Sequence, residues 1–91
     1  MFLVTVAIER TARAAFPVLE PNLLVKAIRA EATPGDGLEH ISARAGPDGL
    51  QVGLFCLARN RETAETNARR ICRDALRQPS FIGWRLTGSN S

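Results

Sequence analysis

The sequence predicts a single α+β domain whose elements run strand–helix–strand–strand–helix–strand. Two segments alternate apolar and mixed residues with the period of a strand, two others repeat apolar residues at helical spacing, and a Gly-Pro-Asp-Gly turn lies between the halves. Ninety-one residues with 45% hydrophobic and 23% charged side chains are ordinary values for one globular domain. We expect one domain over residues 1–91, with an ordered core of about 2–87 and a polar tail at 88–91.

The first half contains the first strand, the first helix and the second strand. Phe2–Arg10 is rich in β-branched residues and alternates in character, which predicts a strand. Pro21 and Asn22 suit the first positions of a helix, which the segment Thr-Pro-Gly-Asp-Gly at 33–37 must end. Leu38–Ala45 is short and partly polar, as an edge strand tends to be.

The second half repeats this pattern after the turn at 46–49, in which Gly49 is predicted to supply a positive φ. This turn predicts a β-hairpin that leads into a third strand at Leu50–Ala58. Asn60 can cap a second helix from Arg61 to about Arg77. Its predicted apolar stripe is Ala64, Ala68, Ile71, Cys72 and Ala75. The last strand is predicted at Phe81–Thr87.

This order of elements resembles the ferredoxin-like βαββαβ plait over nearly the whole chain. The resemblance implies a four-stranded antiparallel sheet in the order 4-1-3-2, with both helices on one face. It is a resemblance to a fold that hosts many unrelated functions, so it implies no residue role.

Strand alternation assigns the predicted residues to two faces of the sheet. The helix-covered face should carry Phe2, Val4, Val6, Ile8, Ile41, Ala43, Leu50, Val52, Leu54, Cys56, Ile82, Trp84 and Leu86. The other, open face should carry Leu3, Thr5, Ala7, His40, Ser42, Arg44, Gln51, Gly53, Phe55, Leu57, Phe81 and Arg85.

The open face is the candidate functional site, because its centre is more apolar than a solvated sheet face should be. The predicted interface or ligand residues are Leu3, Thr5, His40, Arg44, Gln51, Phe55, Leu57, Phe81 and Arg85. We hypothesise a non-enzymatic binding or assembly module that forms a homodimer through this face, since each apolar residue counts twice in a symmetric pair.

Two alternatives keep the same face but give it another use. One is an enzyme of the dimeric α+β-barrel kind, similar to cofactor-free oxygenases and cyclases, with a cavity lined by His40, Arg44, Gln51, Arg85 and Trp84. The other is a regulatory module that binds a small ligand between subunits.

Charge and motifs argue against several classes of function. The net charge of +3 is mild, so no polyanionic partner is required. Eleven of the twelve cations are Arg, which we interpret as the codon bias of a GC-rich genome. RNA-recognition motifs share this fold, but they place aromatic residues on strands one and three, where only Phe55 would be suitable. We therefore expect no nucleic-acid partner, and we interpret the arginines of the second helix as a solvated face.

The residues with reactive side chains are few. His40 is the only histidine, and the two cysteines, Cys56 and Cys72, form neither a CxxC motif nor a Cys/His pair. We expect buried, inert thiols, no catalytic residue, no metal and no cofactor. The absence of a recognisable signal peptide and of an apolar run of about 20 residues predicts a cytoplasmic protein without a membrane partner.

Overall fold

A computed structural model describes residues 1–10, 20–45 and 49–87. The strands and helices are β1 (Phe2–Arg10), α1 (Pro21–Glu31), β2 (Leu38–Ala45), β3 (Gly49–Cys56), α2 (Arg61–Ala75) and β4 (Trp84–Leu86). Two single turns of 3-10 helix, at Pro34–Asp36 and Pro79–Phe81, precede β2 and β4. The chain is therefore α+β with the predicted order of elements.

The four strands form one antiparallel sheet in the order β2-β3-β1-β4, which is the predicted order counted from the other edge. Thr5 lies opposite Gly53 on β3, and Gly53 lies opposite Ser42 on β2. On its other side, β1 pairs with β4 only near its end, where Glu9 lies opposite Arg85. The two central strands are therefore β1 and β3.

Both helices pack on the same face of the sheet and enclose one hydrophobic core. From α1 the core takes Leu24, Ala27 and Ile28. From α2 it takes the whole predicted stripe, Ala64, Ala68, Ile71, Cys72 and Ala75. The sheet contributes Val4, Val6, Ile8, Ile41, Leu50, Val52, Leu54 and Cys56. All of these sheet residues were predicted for the helix-covered face.

The start of α2 also agrees with the prediction. The side-chain oxygen of Asn60 accepts a hydrogen bond from the N–H of Thr63 at 2.8 Å, which satisfies one of the helix's unpaired donors. The helix ends at Ala75 instead of Arg77. None of the described helices is long and apolar enough to cross a membrane.

The prediction that Phe81 lies on the open face is wrong. Phe81 ends the 3-10 turn that Pro79 begins, and only 1% of it is exposed, so it belongs to the core. Gly83, at φ 93°, then redirects the chain, and alternation begins only with β4. The same shift corrects Ile82, which was predicted for the core and is 63% exposed.

The prediction that Gly49 supplies a positive φ is also wrong, because only Gly37 and Gly83 have one among the described residues. Gly49 instead begins β3 at a close approach, where a Cβ would overlap the carbonyl oxygen of Ile8. The rest of the predicted turn, residues 46–48, lies outside the described residues.

Candidate functional site

The face of the sheet opposite the helices is the open face. The strand register arranges its residues in four rows across the strands. From one end to the other, these rows are His40–Phe55–Leu3, Ser42–Gly53–Thr5, Arg44–Gln51–Ala7 and Glu9–Arg85. The open face thus changes from apolar to charged along the strands.

We call Met1, Leu3, Phe55 and Leu57 the apolar patch. Met1 is 67% exposed, Leu3 46% and Leu57 50%, while Phe55 is half-buried. Leu3 lies opposite Phe55, and one further step of the same register brings Met1 opposite Leu57. The apolar patch therefore straddles the two central strands at one end of the open face.

Two backbone contacts fix the end of β3 beneath the apolar patch. The N–H of Leu57 donates to the carbonyl oxygen of Gly37 at 2.7 Å, which continues the pairing beyond the last residue of β3. Gly37 has φ 67°, and a Cβ there would overlap the carbonyl oxygen of Leu57. A glycine is therefore required where the chain enters β2.

The β2 edge of the apolar patch carries His40 and Glu39. The ring centroids of His40 and Phe55 are 6.1 Å apart and the rings are tilted by 48°. A β-bulge between Leu38 and His40 makes Glu39 an extra residue, and it is exposed at the sheet edge. Among the described residues, no carboxylate hydrogen-bonds the His40 side chain to orient it as a general base requires.

Arg61 lies at the opposite edge of the apolar patch. Its Nη1 donates to the carbonyl oxygen of Leu3 at 3.4 Å, and its guanidinium carbon lies 5.3 Å from the centre of the Phe2 ring. This contact joins the start of α2 to the start of β1 across 58 residues of sequence. Sequence reasoning assigned Arg61 only to the helix surface.

The charged end of the open face is built around Arg85 and Glu9. Nε and Nη2 of Arg85 both donate to Oε1 of Glu9, at 3.1 and 2.8 Å. Arg85 is 63% exposed and Glu9 38%, so the pair contributes only about 0–1 kcal/mol to stability. Arg44 and Gln51 are exposed nearby.

Small residues form the middle of the open face. A Cβ on Gly53 would lie 3.3 Å from Oγ of Ser42 and 3.4 Å from Cδ1 of Leu3. These two side chains therefore lean over Gly53 and cover the space that its missing side chain leaves.

Eight of the nine predicted interface or ligand residues lie on the open face: Leu3, Thr5, His40, Arg44, Gln51, Phe55, Leu57 and Arg85. The ninth, Phe81, is in the core. Met1 was missed, although extending the alternation back from Leu3 would have found it. Trp84, predicted as a core anchor, is partly buried and packs against the core.

The arginines of α2 are only partly paired. Arg70 contacts Asp36 at 2.5 Å and, one turn further along α2 at i, i+4, Asp74 at 3.3 Å. Arg77 contacts Asp74 at 3.8 Å. Nη1 of Arg69 is buried, and no residue within 1–10, 20–45 or 49–87 hydrogen-bonds it.

The two thiols are buried in the core between β3 and α2. Burial raises the pKa of Cys56, and the charge of Asp36 adds to this effect. Burial, followed by the neighbouring Cys56, raises the pKa of Cys72 to about 12, although Arg69 opposes the shift. Both thiols are therefore protonated at neutral pH and poor nucleophiles.

We expect both cysteines of the unfolded chain to react completely with DTNB at neutral pH. Over the same time, neither cysteine of the folded protein should react. Burial blocks the reagent, and the raised pKa values leave little thiolate. Absorbance of the released thiol, with and without denaturant, measures this. Rapid release of one equivalent from the folded protein would show that a thiol is accessible.

Among the described residues, no group of three or more His, Cys, Asp or Glu side chains could hold a metal ion. Comparison of the chain with protein-family models, with curated proteins and with solved structures found no match.

Proposed function

We propose that this protein is a non-enzymatic binding or assembly module that self-associates through its open face. The observation that carries the proposal is the apolar patch, because Met1, Leu3 and Leu57 expose about half or more of their surface beside one another. Contiguous apolar surface of this kind typically marks an interaction site.

The magnitude of apolar burial favours a weak dimer. A fully buried large side chain contributes about 1.5–3 kcal/mol, so three that are about half exposed contribute roughly 2–4.5 kcal/mol per copy. Two copies give roughly 5–9 kcal/mol, against an association cost of at least about 4 kcal/mol. The surplus is at most about 5 kcal/mol, so without Phe81 in the patch we expect a dissociation constant of about 0.2 mM at the tightest, in the submillimolar to millimolar range.

The open face is a better contact surface than the edge of the sheet at β2. A bulge interrupts that edge, and Glu39 and Arg44 place charges along it. Bulges and charges are the devices that prevent strand-to-strand pairing at sheet edges. Face-to-face packing does not require strands to pair at this edge.

We assign the fold to the ferredoxin-like plait as part of this proposal. The antiparallel order β2-β3-β1-β4 and the two helices on one face support the assignment. This assignment fits the proposal, because the sheet face without helices is then the part of the domain that is free to bind. The free thiols in the core favour a reducing compartment, the cytoplasm.

The enzyme alternative would need a cavity of about 300 Å³ or more between two paired sheets. Leu3 and Ser42 lean over Gly53 where the centre of such a cavity would form. This favours packed sheets over a hollow, and hence a binding module over a barrel-type oxygenase or cyclase.

Sedimentation equilibrium of the wild type and of Leu3→Arg tests the proposal. The wild type should show a reversible monomer–dimer equilibrium, and Leu3→Arg should weaken it at least about tenfold by placing a charge in the contact. Leu23→Arg is the matched control, because Leu23 on α1 is also 46% exposed but lies away from the open face.

A wild type that remains monomeric at about 1 mM would overturn the proposal. So would equal effects of the Leu3 and Leu23 substitutions, since the open face would then have no special role.

A further inference from the structure

We infer that two copies of this protein stack face to face about a twofold axis that runs along the strands, between β1 and β3. The inference rests on the proposed function and goes further by fixing which residues of the two copies meet.

The position of the apolar patch supports this axis. The patch has two residues on the β1 side, Met1 and Leu3, and two on the β3 side, Phe55 and Leu57. A twofold axis along the boundary between these strands exchanges the two sides. It places Phe55 over Leu3 of the second copy, and Leu57 over Met1 of the second copy.

A twofold axis across the strands, through the middle row of Thr5 and Gly53, gives a poorer contact. It would set Met1 over Glu9, Leu3 over Ala7 and Phe55 over Gln51 of the other copy. No residue of the apolar patch would then meet another, and much of the apolar burial that favours association would be lost. Moving that axis to the apolar patch would restore the apolar contact but leave the rest of both open faces uncovered. The change from apolar to charged along the open face therefore favours the axis along the strands.

The small middle row is compatible with this stacking. Ser42, Gly53 and Thr5 present little side-chain bulk, so two sheets can approach to the spacing of about 10 Å that is usual for stacked sheets.

The charges beside the apolar patch add a second, independent argument. Glu39 lies on the β2 side of the patch. Arg61 lies on the other side, as the hydrogen bonds of β1 show. The carbonyl oxygen of Ala7 accepts a hydrogen bond from the N–H of Thr87, so it points toward β4. The carbonyl oxygen of Leu3 points the same way, because carbonyl groups an even number of residues apart lie on the same side of a strand. Arg61 binds the Leu3 oxygen and so lies on the β4 side.

The axis along the strands exchanges the β2 side and the β4 side while keeping the same end of the sheet. It therefore brings Glu39 of each copy to the edge where Arg61 of the other lies. There the guanidinium of Arg61 sits at the edge of β1, against the Phe2 ring, so an acidic residue lies beside a basic one. An axis across the strands would instead bring Glu39 opposite Arg44, which lies on β2 near the charged end. The two arrangements thus predict different partners for Glu39.

Charge reversal at these positions tests the inference by sedimentation equilibrium. Glu39→Arg should weaken dimerisation about tenfold, because it creates two repulsive pairs related by symmetry. Adding Arg61→Glu should restore the dimerisation constant to within about threefold of wild type, whereas adding Arg44→Glu should not. All these side chains are exposed, and Glu is favourable in the first turn of a helix, so the variants should fold.

The outcomes separate the inference from the proposed function. A wild type that dimerises while Glu39→Arg is without effect, or is restored by Arg44→Glu, overturns the inference and leaves the proposed function standing. Restoration by neither second change also overturns it. A monomeric wild type overturns both.

Discussion

Replacement of Gly37 by alanine is expected to lower the free energy of unfolding by about 3–5 kcal/mol. Gly37 has φ 67°, a conformation that costs an L-residue about 1–2 kcal/mol. The added Cβ would also overlap the carbonyl oxygen of Leu57, so the β2–β3 pair would have to separate. Urea denaturation followed by circular dichroism measures the loss.

Gly35→Ala is the matched control, two residues earlier in the same turn. A Cβ there would meet only Oγ1 of Thr33, at 3.9 Å, which is ordinary contact. We expect a change within about 0.5 kcal/mol. If the two alanine variants proved equally stable, the described geometry of Gly37 would be contradicted.

The second large effect is expected at Asp36, where Asp36→Asn should cost about 1–3 kcal/mol of stability at neutral pH. The side chain is 8% exposed and accepts hydrogen bonds from Arg70 and from the N–H and hydroxyl of Thr33. The asparagine cannot accept all of these bonds, and Arg70 loses its charged partner. Because Arg70 is 41% exposed, we place the cost below that of a fully buried ion pair.

Asp36 also predicts how stability depends on pH. Burial raises the pKa of this carboxyl, but the bonds from Arg70 and Thr33 together outweigh burial and hold the pKa below its usual value. A carboxyl with a depressed pKa stabilises the fold above the unfolded value of about 3.9, and this contribution is lost as the pH falls through the folded pKa. The difference in stability between wild type and Asp36→Asn should therefore shrink below about pH 4.

Urea denaturation at neutral pH and at about pH 3 measures this difference. Asp74→Asn is the control, since Asp74 also pairs with Arg70 but is 26% exposed, and we expect it to cost no more than about 1 kcal/mol. An Asp36→Asn variant with the same pH dependence as wild type would show that this carboxyl does not govern acid stability.

The pattern of the sequence was enough to predict those elements whose periodicity is long and regular. Alternation over Phe2–Arg10 and the helical stripe from Ala64 to Ala75 are local signals, and the structure confirms both. The cap at Asn60 was predictable for the same reason, because it depends on residues only three apart.

The elements that the sequence did not reveal depend on contacts between distant residues or on short turns. Phe81 lies in an alternating run, but Pro79 begins a 3-10 turn there and the core takes the aromatic side chain. The burial of Asp36 depends on Arg70, which is 34 residues away. Gly37 follows Asp36 directly. Position 37 requires glycine because the carbonyl oxygen of Leu57, 20 residues further along the chain, approaches it closely.

The candidate site was largely predictable, because alternation along a strand assigns each residue to one face of the sheet. One β-bulge is the exception. The bulge at Glu39 was not predictable, since it appears only in the pairing of β2 with β3. It matters because it leaves Glu39 exposed beside the apolar patch, where the inferred twofold axis gives it a partner.

The most direct test of self-association through the open face is a dilution series of amide nitrogen–hydrogen NMR spectra, from about 1 mM to about 10 µM. We predict that the resonances that shift with concentration belong to Leu3, Thr5, His40, Phe55 and Leu57, and that those of the exposed surfaces of α1 and α2 stay constant. Spectra that do not change over this range, or shifts that cluster on the helices, would contradict the proposal.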